Sequence, residues 1–519
     1  MPSPRSRQAP FARLWSARRE FHVVVGALLV VAFGVHLLTF QPGTWWGDSF
    51  QYLLHAESLI SGRPYADTGY IPSPYSFLAP AAYPVGYPLL IAPVLAVFGP
   101  SPQALGVVAS VCLLGTAWLA ATMARAWVPD PFAVAVAGGV AFQPGLLAST
   151  GPPLSDLPFM FFVVLSLLAA DRASRQRDRW GRWAVLAGLA VGAAVATRTL
   201  GVVLVPALLL PGVIRSRRFE RWALVAMGIG LVLVVGVASV DLGAPASPGV
   251  GDRARSEQGA DAGRGADPGY GALVRDNLLG RLSQIPTRIP AQVTNYARAS
   301  YPLWEVPGAS GLKNLLSLLA LVPVGIGVAH CARRRFGATE AFAVLYVMAL
   351  LPWSFSGVRY LFPVYPLYYL YLVVGVWWIG RDNRSRQRVV VAALAVAVGV
   401  SYGGRFMERA VEPVEPITPT DEEALYDFIR ETTPDGAVML TTQDARIPAY
   451  YTRRAVSLGP KEVGEWTVYA DRLGASYALV QDQSEVAPAL RRDPRHRLVR
   501  RSRHLAFYRV CPSACEASE

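Results

Sequence analysis

Apolar and polar positions follow two regimes along this chain. From about residue 20 to 404, long apolar runs are separated by short polar loops, and beyond Gly404 the apolar positions become sparse and periodic. The runs predict membrane spans at 21–40, 103–126, 131–149, 155–170, 183–198, 199–214, 221–241, 311–331, 339–355, 360–380 and 388–404. Several are short for a crossing helix and are expected to tilt, or to bend at Gly and Pro. Residues 48–60 keep a helical period. Asp48, Gln51, Tyr52 and His55 fall on one face, and Phe50, Leu53, Leu54 and Ile60 on the other. Such a helix suits the membrane interface, with its apolar face toward lipid tails and Asp48 toward water. Glu57 sits among the apolar set without an evident reason. Gly62-Arg63-Pro64 ends the helix, and the Pro-rich run that follows excludes regular helix or strand.

After Gly404, Thr420-Asp421-Glu422-Glu423 reads as a capping box that opens a helix to about Glu431. Residues 437–442 and 476–481 read as strands. Helix and strand alternating over 405–519 predict a small α/β domain. It contains no glycine-rich phosphate loop after a strand, so no nucleotide site is expected there.

Composition supports a polytopic membrane protein. Of 519 residues, 53% are hydrophobic and only 16% charged, where a soluble chain carries about 25%. The mean hydropathy is +0.32. The formal charge of +13 points to orientation in a membrane rather than to nucleic acid, because the arginines cluster in short loops between apolar runs. The only lysines are Lys313 and Lys461. Residues 1–20 form a basic N-terminus with no small-residue cleavage site, so the first span is expected to be retained. Cys511 and Cys515 could pair if their end of the chain faces an oxidising compartment.

Charge sets the topology. Segment 83–99 holds Pro84, Pro88 and Pro93. If it dips in and returns, the N-terminus, Arg125, Arg172 to Arg182, Arg215 to Arg221, Arg333 to Arg335 and Arg381 to Arg388 all share the cytoplasmic side. A re-entrant or juxtamembrane segment is therefore preferred, although a compensating crossing elsewhere serves equally well. On this topology Asp48, Asp156, Arg198, Asp241 and Arg359 end at the outer face, as does the C-terminal domain. Interfacial anchoring accounts for any one of these charges. Five together suggest a shared polar cavity. Residues 242–270 read as a flexible outer loop, and 271–304 as amphipathic helices at the outer interface. The organisation expected is a basic N-terminus (1–20), a transmembrane domain (21–404) with outer loops at 41–99 and 242–310, and an outer α/β domain (405–519).

The Asp-led helix after the first span, followed by Tyr83-Pro84-Val85-Gly86-Tyr87-Pro88-Leu89-Leu90, resembles the first outer loop of GT-C glycosyltransferases. The nearest groups are the bacterial protein O-mannosyltransferase-like and aminoarabinose-transferase-like enzymes. Ser155-Asp156-Leu157-Pro158-Phe159, Thr197-Arg198-Thr199-Leu200-Gly201 and Arg359-Tyr360-Leu361-Phe362-Pro363 extend the resemblance over roughly residues 20–404. It implies a GT-C-like, polytopic α-helical protein of about 11–13 transmembrane helices in a bacterial plasma membrane, with a small extracytoplasmic α/β domain. It further implies transfer of a sugar from a polyprenyl-phosphate donor to a lipid, glycan or protein acceptor at the outer face. Asp48 matches the family's first-loop general base, and Asp156 a second outer-loop acid.

Elementary chemistry agrees. A lipid phosphate is already a good leaving group, since a phosphate monoester's second pKa is about 6. One carboxylate must take the acceptor's proton, and arginine must hold the phosphate. Inversion follows from a single displacement. The loop lacks the Asp-Glu pair and the lysine of many relatives, so Arg63, Arg198 or Arg359 is expected to hold the phosphate. Tyr52, His55, Tyr83, Tyr87 and Tyr360 complete the expected substrate contacts. His55 is expected to bond Asp48 or Tyr52 rather than a metal. No cofactor is implied, and the outer loops have no Asp-x-Asp, which disfavours a metal-dependent mechanism. A transporter or flippase would show internal repeats and interrupted midplane helices, and neither is evident. A non-catalytic assembly protein, or a ligase using diphosphate-linked donors, is also compatible with this pattern of spans and charges.

Overall fold

The computed structural model describes residues 18–242, 310–381 and 417–511, except 44, 74, 76–81, 177 and 352–356, plus scattered positions in 286–292 and 383–411. In chain order the elements begin with Arg18–Leu38 (α1), Gly47–Ser61 (α2), Tyr70–Ile71 (β1), Gly86–Phe98 (α3), Pro102–Ala124 (α4), Asp130–Ala141 (α5) and Pro144–Ala148 (α6). Asp156–Arg175 (α7), Trp180–Thr197 (α8), Leu204–Ser216 (α9), Arg221–Leu242 (α10), Ser310–Arg335 (α11), Ala338–Leu350 (α12) and Tyr365–Gly380 (α13) follow. The C-terminal part contains Thr420–Thr432 (α14), Val438–Thr441 (β2), Arg446–Thr452 (α15), Ala455–Leu458 (β3), Val463–Leu473 (α16), Tyr477–Gln481 (β4), Ala487–Leu490 (α17), His496–Arg501 (β5) and Leu505–Val510 (β6). The chain divides into two compact units, residues 1–41, 102–237 and 281–414 in one, and 42–101, 238–280 and 415–519 in the other.

The first unit is helical. Among the described residues, five stretches are long and apolar enough to cross a membrane: Arg19–Leu38, Pro102–Ala124, Asp156–Arg175, Trp180–Thr197 and Val358–Gly380. Outward-facing Val30, Val31, Leu231 and Val232 leave apolar surface uncovered by protein, as lipid-facing positions require. Small residues let helices touch. A Cβ at Gly375 would lie 1.8 Å from the Pro323 carbonyl oxygen, so α11 and α13 meet backbone to backbone only because that position is glycine. The span expected at 131–149 is broken into α5 and α6 at Gln143-Pro144, because proline starts a new helix where it cannot continue one. The span expected at 199–214 opens as a 3₁₀ turn over Thr199–Val203. That expected at 388–404, and the amphipathic helices at 271–304, lie largely outside the described residues.

Basic loop residues gather at one end of this unit. Arg335 donates to Ser174 Oγ at 2.6 Å, Arg175 Nε lies 2.8 Å from Asp171, and Arg215 donates to the Phe336 carbonyl at 2.8 Å. Asp156 and Arg198 occupy the opposite ends of α7 and α8. The charge pattern of the loops predicts this separation.

The second unit is built on a six-stranded sheet in the order β1-β3-β2-β4-β6-β5. β1, β3, β2 and β4 are parallel, and β6 and β5 complete it antiparallel. β1 comes from the first outer loop, with Tyr70 opposite Val456. That loop also supplies α2, whose Phe50 ring lies 5.2 Å from Tyr450 and 5.4 Å from Tyr451. Phe50, Leu53 and Leu54 are therefore buried in protein, not turned to lipid tails, and only Ile60 of that face is open. Glu57 gains its explanation here, in a two-pronged ion pair with Arg453 at the end of α15. Gly62 ends α2 in the left-handed region at φ 66°, where a side chain is strained.

Helix α3 has 13 residues, a length of about 20 Å against a hydrocarbon core of about 30 Å. α14 starts at Thr420, but its cap is Pro419 and no side chain closes a box. Proline's fixed φ leads into the helix and places Thr420 inside the first turn, where its hydroxyl no longer caps. Cys511 is disulfide-bonded, whereas Cys112 and Cys331 are free, and Cys515 lies outside the described residues.

Candidate active site

Asp48 occupies the first turn of α2. Its Oδ1 accepts a hydrogen bond from the Tyr83 hydroxyl at 2.8 Å and another from Arg446 Nη1 at 2.9 Å. The same Arg446 nitrogen reaches Tyr83 Oη at 2.7 Å and Gln51 Oε1 at 3.2 Å. The rest of the guanidinium is fixed from behind. Nε and Nη2 meet the two carboxylate oxygens of Asp444 at 2.8 and 2.6 Å. One arginine thus clamps two carboxylates, and it is 8% exposed. Burial opposes its charge, but Tyr83, Asp444 and Asp48 together outweigh burial and raise its pKa well above the ordinary value. Burial, reinforced by the Asp48 charge, likewise raises the Tyr83 phenol well above its usual range. It stays a neutral donor.

Gly47 makes room for this clamp. A Cβ there would lie 2.0 Å from Asp444 Oδ2 and 2.5 Å from Arg446 Nε. The sequence alone does not single out Arg446 or Asp444. The signals it carries for them are the glycine directly before Asp48 and an Asp-Ala-Arg run just after a predicted strand.

Tyr83 is held in turn. Its backbone N–H donates to His55 Nε2 at 3.2 Å, and its carbonyl accepts from the Tyr65 hydroxyl at 2.8 Å. His55 Nδ1 donates to the Tyr65 carbonyl at 2.9 Å, and the two rings stack 4.3 Å apart. This corrects the expectation that His55 bonds Asp48 or Tyr52. Both ring nitrogens brace the loop, because the return of the chain at Tyr65 and Tyr83 offers a carbonyl and an N–H at the right reach. Tyr52 lies between the rings of Tyr83 and Tyr87, at 5.1 and 4.9 Å. Arg63 is exposed beyond the end of α2, with Nε on Ser61 Oγ at 2.9 Å.

Burial lowers the His55 pKa from 6.5 to about 4. Its neutral form is the one the fold binds. Above pH 6.5 the imidazole is neutral in both folded and unfolded chain, and its contribution is complete. As pH falls from 6.5 to about 4, only the unfolded chain takes up the proton, and stability declines by roughly 3 kcal/mol. Thermal unfolding followed across this window is expected to show the decline, and His55→Gln to flatten it. An equally steep decline in His55→Gln would assign the effect to other groups.

The first unit holds a second cluster. Asp156, 2% exposed at the N-terminus of α7, forms an ion pair with Arg198 at the C-terminal end of α8. The Arg198 guanidinium lies 5.4 Å from the Tyr360 ring centroid, and that of Arg359 lies 5.5 Å from the same ring. The structure therefore brings Asp156, Arg198, Arg359 and Tyr360 together at one end of three spans. The side chain of Asp241 is outside the described set. Asp48, Tyr52, His55, Tyr83 and Tyr87 assemble separately, in the second unit.

A family model described as dolichyl-phosphate-mannose-protein mannosyltransferase matches residues 82–239. No curated protein sequence matches the chain. Among solved structures, it is similar to the oligosaccharyltransferase AglB from Archaeoglobus fulgidus, in complex with an inhibitory peptide and a dolichol-phosphate. The identity is 12% and the TM-score 0.58, over 93% of this chain and 71% of that one. It is also similar to ArnT from Cupriavidus metallidurans bound to undecaprenyl phosphate, with 14% identity and a TM-score of 0.57, over 97% of this chain and all of that one (100%). Identities this low speak for the fold, and the family match lies within that fold. The chain thus shares the fold of these two membrane-bound transferases over nearly its whole length, and the family model matches one stretch of it, residues 82–239.

Proposed function

We propose that the chain transfers a sugar from a polyprenyl-monophosphate carrier to an acceptor hydroxyl at the outer face of a bacterial plasma membrane. The observation that carries this reading is the Asp48 carboxylate, fixed between Tyr83 and Arg446 at the start of α2. Asp48 takes the acceptor's proton as its oxygen attacks the anomeric carbon. The bond from that carbon to the phosphate oxygen breaks, and the lipid phosphate leaves with the electron pair. A single displacement inverts the centre. For the phosphate the candidates are Arg359 and Arg198, the latter oriented by Asp156, and for the sugar Tyr52 and Tyr87 beside Tyr83. Lipid phosphates bound to AglB and ArnT support the donor class. The disulfide-bonded Cys511 supports an oxidising side for the C-terminal domain.

The test uses purified protein in sealed vesicles of known orientation, supplied with lipid-extract donors carrying mono- or diphosphate-linked sugars. Transfer is expected from the monophosphate donor and only with the C-terminal domain on the donor's side. Preference for the diphosphate donor would reassign the protein as a ligase. Transfer from the opposite side would reject the outer face.

A further inference from the structure

The second unit contains a cavity of about 510 Å³ that the proposed chemistry does not use. It opens where the loops leave the C-terminal ends of the parallel strands β2, β3 and β4, and Thr442, Gly459 and Gln481 line it. The order β3-β2-β4 means that the chain winds to one side of β2 and then to the other. Connections leave in opposite directions there, so a crevice forms at the carboxyl ends of β2 and β4, the place where parallel sheets bind ligands. The volume is that of an ordinary small-ligand site.

The lining specifies a chemical class. Gln443, Gln481 and Gln483 line it with amides, the first already donating to Tyr426 Oη at 2.8 Å, and Thr442 lines it with a hydroxyl that accepts from the Gln481 N–H at 2.8 Å. Amides and hydroxyls both donate and accept, which matches sugar hydroxyls. Tyr75 adds an aromatic ring at the rim. Two carboxylates, Asp444 and Glu485, balance two cations, Arg446 and Lys461, so the lining favours no net anion. Arg446 lines this cavity and also bonds Asp48. The cavity therefore adjoins the Asp48 cluster through Arg446, although Asp48 itself does not line it.

We infer that this cavity is the acceptor subsite and that it takes a neutral glycan, whose hydroxyls the three glutamine amides and Thr442 read. The inference rests on the reading of Asp48 as base for its place in the reaction, but binding can be tested without transfer. Full-length protein in detergent is titrated with mannotriose, maltotriose, cellotriose and, separately, inorganic phosphate, and saturation-transfer NMR is recorded on the sugar protons. At least one trisaccharide is expected to bind at millimolar concentration. Gln483→Ala, at an exposed position where folding is not at stake, is expected to weaken it about tenfold, and Gln483→Trp, which adds bulk at the same lining position, to abolish it. Asp48→Asn is expected to bind as the parent does. No saturation transfer from any of the three sugars, phosphate competing for the site, or binding unchanged in both cavity variants would overturn the inference. Sugar binding with normal transfer by Asp48→Asn would leave the subsite standing and reject the base.

Discussion

Asp48→Asn is expected to slow transfer by roughly 10²–10⁴-fold, about 3–5 kcal/mol in the barrier, while donor binding is retained. The amide keeps the size of the side chain, and its oxygen still accepts from Tyr83 and Arg446, but it no longer takes a proton. The phosphate contacts proposed for Arg198 and Arg359 lie in the other unit and are untouched. Transfer rate and donor affinity measured on one purified preparation separate the outcomes. Near-normal transfer rejects the base and moves suspicion to Asp156. Loss of transfer together with loss of donor affinity makes Asp48 a residue that shapes the loop. Arg446 keeps Asp444 as a partner in this variant, so the fold is expected to survive, and the thermal midpoint provides the control.

Local patterns in the sequence carry the elements well. The helical period from Asp48 predicts α2, Gly62 predicts its end, and two apolar stretches predict β2 and β4. The charge of the loops predicts which ends of the spans are basic. What period alone does not carry is the identity of the cover. Phe50, Leu53 and Leu54 form an apolar stripe whether lipid or protein lies on it, and here protein does. Partners far apart in the chain are equally invisible. Arg446 is 398 residues from Asp48, and Arg453 is 396 from Glu57. Nothing local at either arginine marks it as the counter-ion of a residue in the first outer loop. Two-residue β1 is too short to have a period at all, yet it extends the sheet by a strand.

Arg446 is the residue on which the Asp48 site depends most for its shape, and Arg446→Gln is expected to cost more than loss of a base. Removing one partner of a buried ion pair leaves the other uncompensated, at about 3–5 kcal/mol of stability. Here Asp444 loses both of its bonds to the guanidinium, and Asp48, Gln51 and Tyr83 lose their common donor. A fall in transfer after so large a loss of stability would not distinguish positioning from unfolding. Arg446→Lys makes that distinction. It keeps the charge, but a single ammonium cannot span Asp444 and Asp48 as the planar fork does. Arg446→Lys is expected to fold, to keep its donor KM, and to lower kcat by about 10–100-fold, because Asp48 is no longer held at its angle. Gly47→Ala is expected to lower kcat in the same way, since its methyl group displaces the Asp444–Arg446 pair from the other side. If Arg446→Lys instead raises donor KM with kcat unchanged, the arginine binds the donor phosphate itself. If both constants stay at parental values, the clamp is structural and Asp48 keeps its geometry without it.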